Sequence, residues 1–197
     1  MNKVARYFKG RKPGWWIQNV LLVLAVCMLV FPSFRIWVIS GIMQLTMRSP
    51  DMKVMENGRT FDEEEMGLVA EVTDGSILRI AEYQDKVIFL NIWATTCGPC
   101  VAEMSSIEDL YADYKDKVLF VMLSYEDLAT IRGFQEHRGY DLPFCTPVAG
   151  VPDAFRTNRF PTTRIFNKKG TIVINESGAA DWDDEDVRKL LDQLIAE

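Results

Sequence analysis

Histidine occurs once in the 197 residues, at position 137, and cysteine four times, at positions 27, 97, 100 and 145. A single imidazole excludes a centre built from several histidines of one chain, and four cysteines are too few for a disulfide-stapled scaffold. Acidic residues are missing from the first fifty positions, where Lys3, Arg6, Lys9, Arg11, Lys12, Arg35 and Arg48 carry +7. With a formal net charge of −6, the remainder carries −13, and so acidic a body repels a phosphate backbone. Nucleic acid is therefore not an expected partner. Internal repeats and low-complexity tracts are absent as well. What is present is an ordinary globular composition, 48% hydrophobic and 25% charged, sufficient for one domain.

Trp15 to Phe34 is an uncharged run of 20 residues. At about 1.5 Å per residue a helix over it reaches roughly 30 Å, one bilayer crossing. The basic residues before it predict a cytoplasmic tail over residues 1–14, an inner-membrane anchor, and an extracytoplasmic remainder, with Trp15 and Trp16 at the interface. A cleavable signal peptide suits the same start, and Cys27 raises a lipid anchor. No Ala-x-Ala-like cleavage site is evident, however, and Val26 stands where a small residue should precede a lipidated cysteine. A retained single-pass helix is the reading. Ile36–Leu45 is too short to cross, so residues 15–48 form anchor plus juxtamembrane segment, with Ile36, Trp37, Ile39, Ile42, Met43 and Leu45 on an interfacial face or a dimer contact. Residues 49–66, with Glu63-Glu64-Glu65, read as a linker.

From Gly67 to Glu197 short apolar strands alternate with amphipathic helices, which predicts an α/β domain on a mixed central sheet. Leu68–Val72 and Ile77–Ile80 form an N-terminal hairpin across Asp74-Gly75. Lys86–Trp93 and Val118–Leu123 are nearly continuous apolar runs, as strands buried on both faces require. Between them a helix starts near Cys97, with Met104, Ile107, Leu110 and Tyr111 at helical spacing. A helix over Leu128–Arg138, a strand within Leu142–Val148 and a short helix over Val151–Arg156 follow. Strands Thr163–Asn167 and Ile172–Ser177 pair across Lys168-Lys169-Gly170. A final helix over Asp183–Ala196 takes Asp181 or Asp183 as its cap.

Trp93-Ala94-Thr95-Thr96-Cys97-Gly98-Pro99-Cys100 lies where a buried strand gives way to a helix. On a first helical turn the two sulfurs come within reach of each other, and the unsatisfied amides favour a thiolate on Cys97. Cys97 is then the nucleophile, and Cys100, further in, the group that resolves a mixed disulfide. An inert disulfide or half of a zinc site would use the same spacing. Zinc wants four protein ligands, and His137 and Cys145 are the other soft donors outside the apolar segment. No metal or cofactor is expected.

The stretch Asn91-Ile92-Trp93-Ala94-Thr95-Thr96-Cys97-Gly98-Pro99-Cys100-Val101-Ala102-Glu103-Met104 resembles the active-site signature of the TlpA/ResA type of membrane-anchored, thioredoxin-like thiol-disulfide oxidoreductases. Phe160-Pro161-Thr162-Thr163 resembles their cis-proline loop. The resemblance implies a thioredoxin fold over roughly residues 67–197, catalysis by Cys97 and Cys100, and Pro161 in cis; an X-Pro bond makes that isomer cheap, about 0.5–1 kcal/mol. It also implies a substrate surface from Trp93, Thr96, Gly98, Pro99, Phe160 and Thr162, and a proton-handling role for Glu103. Glu103 follows Cys100 by three positions, on the same helical face, where a partly buried carboxylate with a raised pKa could take a thiol proton; a solvated glutamate in the first helical turns is the plainer alternative. Asn91 occupies the place of the buried aspartate of thioredoxins proper.

Three residues depart from the group's pattern. Thr96 replaces a tryptophan before the first cysteine, Ser105 a proline that kinks the helix, and Phe160 is bulky beside the cis bond. Elsewhere Cys145 reads as a buried strand residue, His137 as a solvated helix end, Trp182 as a packing anchor, and Asp181, Asp183, Asp184, Glu185 and Asp186 as capping acids. The resulting expectation is an extracytoplasmic reductase of protein disulfides, fed by a membrane electron donor, with apocytochrome c among the substrates the resemblance implies. A disulfide oxidant or isomerase is the alternative within chemistry, and a non-catalytic adaptor or metallochaperone the alternative outside it.

Overall fold

The computed structural model describes residues 13–44, 46–51, 55, 58–62, 64–83 and 85–197. The chain divides into two compact units, Met1–Val38 and Ile39–Glu197. The basic residues expected as a cytoplasmic tail at positions 3–12, together with Leu45, Glu63 and the side chain of Trp37, lie outside what is described.

The apolar run expected as one crossing is divided. Helix α1 spans Pro13–Val30 and α2 spans Pro32–Gln44. Proline has no amide to give a continuing helix but is well suited to the first position of a new one, so Pro32 sets the break. Among the described residues no single helix is long and apolar enough to cross a membrane. Residues 14–30 and 34–44 satisfy length and composition together, as a bent pair.

The second unit is built on strands β1 (Val69–Val72), β2 (Ile77–Arg79), β3 (Val87–Trp93), β4 (Val118–Ser124), β5 (Phe144–Pro147), β6 (Thr162–Phe166) and β7 (Ile172–Ser177). They form one seven-stranded sheet in the order β2-β1-β5-β4-β3-β6-β7. Strand β3 runs parallel to β4 and antiparallel to β6, and β4 runs parallel to β5. Every residue of β3 is buried, so its two-residue alternation serves two cores. Val87, Phe89 and Trp93 face one with helices α3 (Gly98–Tyr114), α4 (Leu128–Arg138) and α5 (Glu185–Ala196); Ile88, Leu90 and Ile92 face the other with Leu68, Phe155 and Phe166. Asn91 shares the parity of the first set, a polar side chain turned toward α3.

Two sequence expectations shift for identifiable reasons. The cap of α5 is Asp184, whose carboxylate accepts from Asp186 N at 2.8 Å, because Asp183 is engaged by Arg188. Within the stretch expected as a linker, Phe61 and Met66 are buried, Thr60 bridges to Thr171, and Ile172 N donates to Arg59 O at 3.1 Å. These residues cover the outer edge of β7, which would otherwise present unpaired backbone. Gly170 permits the approach: its φ is +72°, and a Cβ there would stand 3.1 Å from Phe61 O.

Candidate active site

Strands β3 and β4 end side by side, with Trp93 opposite Ser124. The chain leaves β3 through Ala94-Thr95-Thr96, and this loop is braced from β4. Thr95 donates both its amide and its hydroxyl to the Glu126 carboxylate at 2.7 Å, and Ser124 Oγ donates to the same group at 3.0 Å. Cys97 follows as the N-cap of α3, in extended conformation, and its sulfur accepts from Cys100 N at 3.2 Å. A helix N-terminus aims amides and a positive dipole end at this sulfur, the arrangement that favours negative charge upon reduction. The two cysteines are joined in a disulfide, Cα atoms 5.3 Å apart. Cys97 is half-buried and Cys100 fully buried, so only one of the two sulfurs can be approached from solvent.

The residues expected at the substrate surface divide. Thr96 and Phe160 are exposed and Pro99 half-buried. Trp93 and Thr162 lie inside, contrary to that expectation. Trp93 is wedged against Phe134 and Phe144 with its indole N–H donated to Met122 O, and Thr162 Oγ1 is held by Arg159 O at 2.8 Å. Gly98 is buried with Ile39 over it, and a Cβ at that position would stand 3.1 Å from the Ile39 methyl. The Phe160–Pro161 peptide is cis, and Pro161 O accepts from Gly178 N at 3.0 Å. Phe160 meets Tyr125 edge to face, with ring centres 6.0 Å apart. Tyr125 is fixed through its hydroxyl, which donates to Phe155 O and accepts from Thr157 N. Ser105 interrupts nothing: α3 is continuous through it to Tyr114.

Glu103 is not partly buried but completely so. One oxygen accepts from Asn91 Nδ2 at 2.7 Å, and the other from Trp182 Nε1 at 3.0 Å and Ala180 N at 3.2 Å. Burial raises its pKa to about 7 against these donors, which act in the opposite direction. Asn91 also donates to Thr163 Oγ1 on β6 at 2.9 Å, while its own Oδ1 has no donor among the described residues. Asn91 was legible as a polar interruption of an apolar strand. Trp182, Ala180, Glu126 and Tyr125 carried no such signal; they reach the site from distant positions in the chain.

The remaining sequence candidates stand apart from the dithiol. Cys145 is buried in β5, its thiol pushed up to about 12 by burial. His137 is exposed on the last turn of α4. Among the described residues no cluster of three or more His, Cys, Asp or Glu side chains is placed to hold a metal.

Residues 47–194 match the redoxin family. The chain is 29% identical to the thiol-disulfide oxidoreductase ResA of Oceanobacillus iheyensis over 188 residues, covering 92% of this chain and 90% of that protein. It is 31% identical to ResA of Halalkalibacterium halodurans over 119 residues, 59% of this chain and 68% of that one. Among solved structures, a secreted Mycobacterium tuberculosis disulfide oxidoreductase homologous to E. coli DsbE superposes with a TM-score of 0.53 at 22% identity, over 69% of this chain and all of that one. This likeness supports the thioredoxin fold.

Proposed function

The chain belongs to the redoxin family and is a ResA-type thiol-disulfide oxidoreductase with protein-disulfide reductase activity; from that premise we propose that it works outside the cytoplasm, held at the membrane. The observation that carries the chemistry is the inequality of its two sulfurs, Cys97 half-exposed at a helix cap and Cys100 buried behind it.

In the proposed cycle the reduced enzyme attacks a substrate disulfide with the Cys97 thiolate. One substrate sulfur leaves as a thiolate and takes a proton from water. Cys100 then gives its proton to Glu103 and attacks Cys97 Sγ in the mixed disulfide. The second substrate sulfur leaves, two electrons have passed to the substrate, and the Cys97–Cys100 disulfide remains. A dithiol donor, fed from a membrane electron carrier, restores the reduced form. Thr96, Pro99 and Phe160 beside the cis-Pro161 edge form the face that meets an extended substrate segment. The bent helix pair, together with the basic residues before it, supports an anchor with its amino terminus in the cytoplasm. The substrates are cysteine pairs of exported proteins, apocytochrome c being the case the family resemblance favours. Thioredoxin-like Gly98-Pro99 between the cysteines supports a reducing rather than an oxidising couple.

The test is capture. In cells, Cys100→Ser in the full chain should accumulate mixed disulfides through Cys97 with exported proteins, released by a reducing agent. Adducts with cytoplasmic proteins alone would contradict the compartment, and no adduct would contradict the attacking role of Cys97.

A further inference from the structure

The acid beside the dithiol is held by a part of the chain some eighty positions away. We infer that Trp182 is a positioning residue of the exchange reaction: with the Ala180 amide it clamps the Glu103 carboxylate in the orientation from which that group serves Cys100. This rests on the proton-accepting role proposed above for Glu103.

The clamp is built from several independent contacts. Trp182 Nε1 and Ala180 N both donate to Glu103 Oε2, at 3.0 and 3.2 Å. Trp182 N donates to Ser106 Oγ at 3.0 Å, and that hydroxyl donates to Glu103 O at 2.8 Å. The segment is thus tied to both the side chain and the backbone of the same turn of α3. The indole is fully buried and packs edge-on against Phe89, ring centres 5.3 Å apart, which fixes where its N–H points. A packing anchor needs none of this polarity; phenylalanine would fill such a site. An indole N–H can donate but not accept, so it stabilises the ionised carboxylate and opposes the neutral acid at that oxygen.

The charges around Glu103 leave this donor set as the main opposition to burial. Glu176 on β7 pushes in the same direction as burial. Strands β3 and β6 present the neutral Asn91 and Thr163, and α3 presents Cys100 one turn back. On the clamp's own segment Asp181 is exposed, Asp183 is engaged by Arg188, and Asp184 caps α5.

The experiment uses the full-length reduced protein and an aryl disulfide that releases a coloured thiolate. The first release reports Cys97 attack and the second reports Cys100, each followed from about pH 5 to 9 to bracket the ordinary and raised carboxyl ranges. Trp182→Phe should leave the first profile in place. It should move the midpoint of the second upward by about one pH unit, the loss expected for one hydrogen bond to a charged group. Glu103→Gln should abolish that limb. An unmoved midpoint in Trp182→Phe, with the limb gone in Glu103→Gln, overturns the inference and leaves the acid's role intact. A limb that survives Glu103→Gln overturns the acid's role instead. If Trp182→Phe does not fold, Ser106→Ala loosens the same clamp, and its midpoint should move the same way by less; no movement there overturns the inference equally.

Discussion

Cys97 and Cys145 are the same residue type in opposite surroundings. Cys97 stands half-exposed at a helix N-terminus, with an amide hydrogen on its sulfur. Cys145 lies in the middle of the sheet, fully buried, its sulfur 3.6 Å from Met122 O and its thiol pushed up to about 12. Burial without compensating donors makes a thiol inert, while a helix cap open on one side makes it a nucleophile. Cys100 combines the two: it is as buried as Cys145 but within bonding distance of Cys97 and one turn from a carboxyl group. A sulfur so placed cannot meet a substrate, yet it can meet Cys97, which suits the second step of an exchange and not the first.

The largest effect that tests this contrast is loss of the exposed sulfur. Cys97→Ser should bring disulfide exchange down to the uncatalysed background, whereas the same assay on Cys145→Ala should match the unmodified chain. Next comes Glu103→Gln, which should slow release from the mixed disulfide by about 10²-fold at alkaline pH, the size of a lost general base. The same substitution has a signature in stability. The folded pKa of Glu103 is raised to about 7 from 4.5, so its contribution is fully present below the lower value and is lost as pH rises toward the upper one. The loss is on the order of 3 kcal/mol across that window, read as denaturant midpoints, and Glu103→Gln should flatten that portion of the profile.

A smaller effect is expected from Glu126, which braces the loop before Cys97. Glu126→Ala leaves the Thr95 amide and two hydroxyls without their acceptor and should cost about 1–3 kcal/mol in thermal or denaturant unfolding. Its exchange rate should fall by less than about tenfold, well short of the loss given to Glu103. Smallest is Cys145→Ala, about 1 kcal/mol of stability for a buried atom removed. After reduction of the native protein, an alkylating reagent should modify Cys97 and reach Cys145 on denaturation. Modification of both at equal rates in the native state would erase the contrast.

What could be read in advance follows from how local the causes are. The apolar runs at Lys86–Trp93 and Val118–Leu123 announced β3 and β4, and the strand-to-helix step placed the dithiol, because each is written in adjacent residues. The apolar run over Trp15–Phe34 announces helix by its composition, while the break between Val30 and Pro32 follows from the amide that proline lacks. The cap of α5 is Asp184 and not Asp181 or Asp183, because several aspartates compete locally and the choice depends on where Arg188 reaches. The donors around Glu103 come from Asn91, Ala180 and Trp182, and no local pattern joins those positions. Trp182 in particular looked like a packing residue, and it is one; the destination of its N–H is fixed by tertiary structure alone.

The central claim is that Cys97 and Cys100 form a reversible two-electron couple on the reducing side. The most direct measurement is the reduction potential of the purified full-length chain, equilibrated against dithiothreitol or glutathione with the thiol state read by alkylation. A potential near about −270 mV or below, abolished in Cys97→Ser and unchanged in Cys145→Ala, is the predicted result. A potential near about −120 mV would assign the chain to disulfide oxidants, and the absence of any reversible couple would contradict the account at its base.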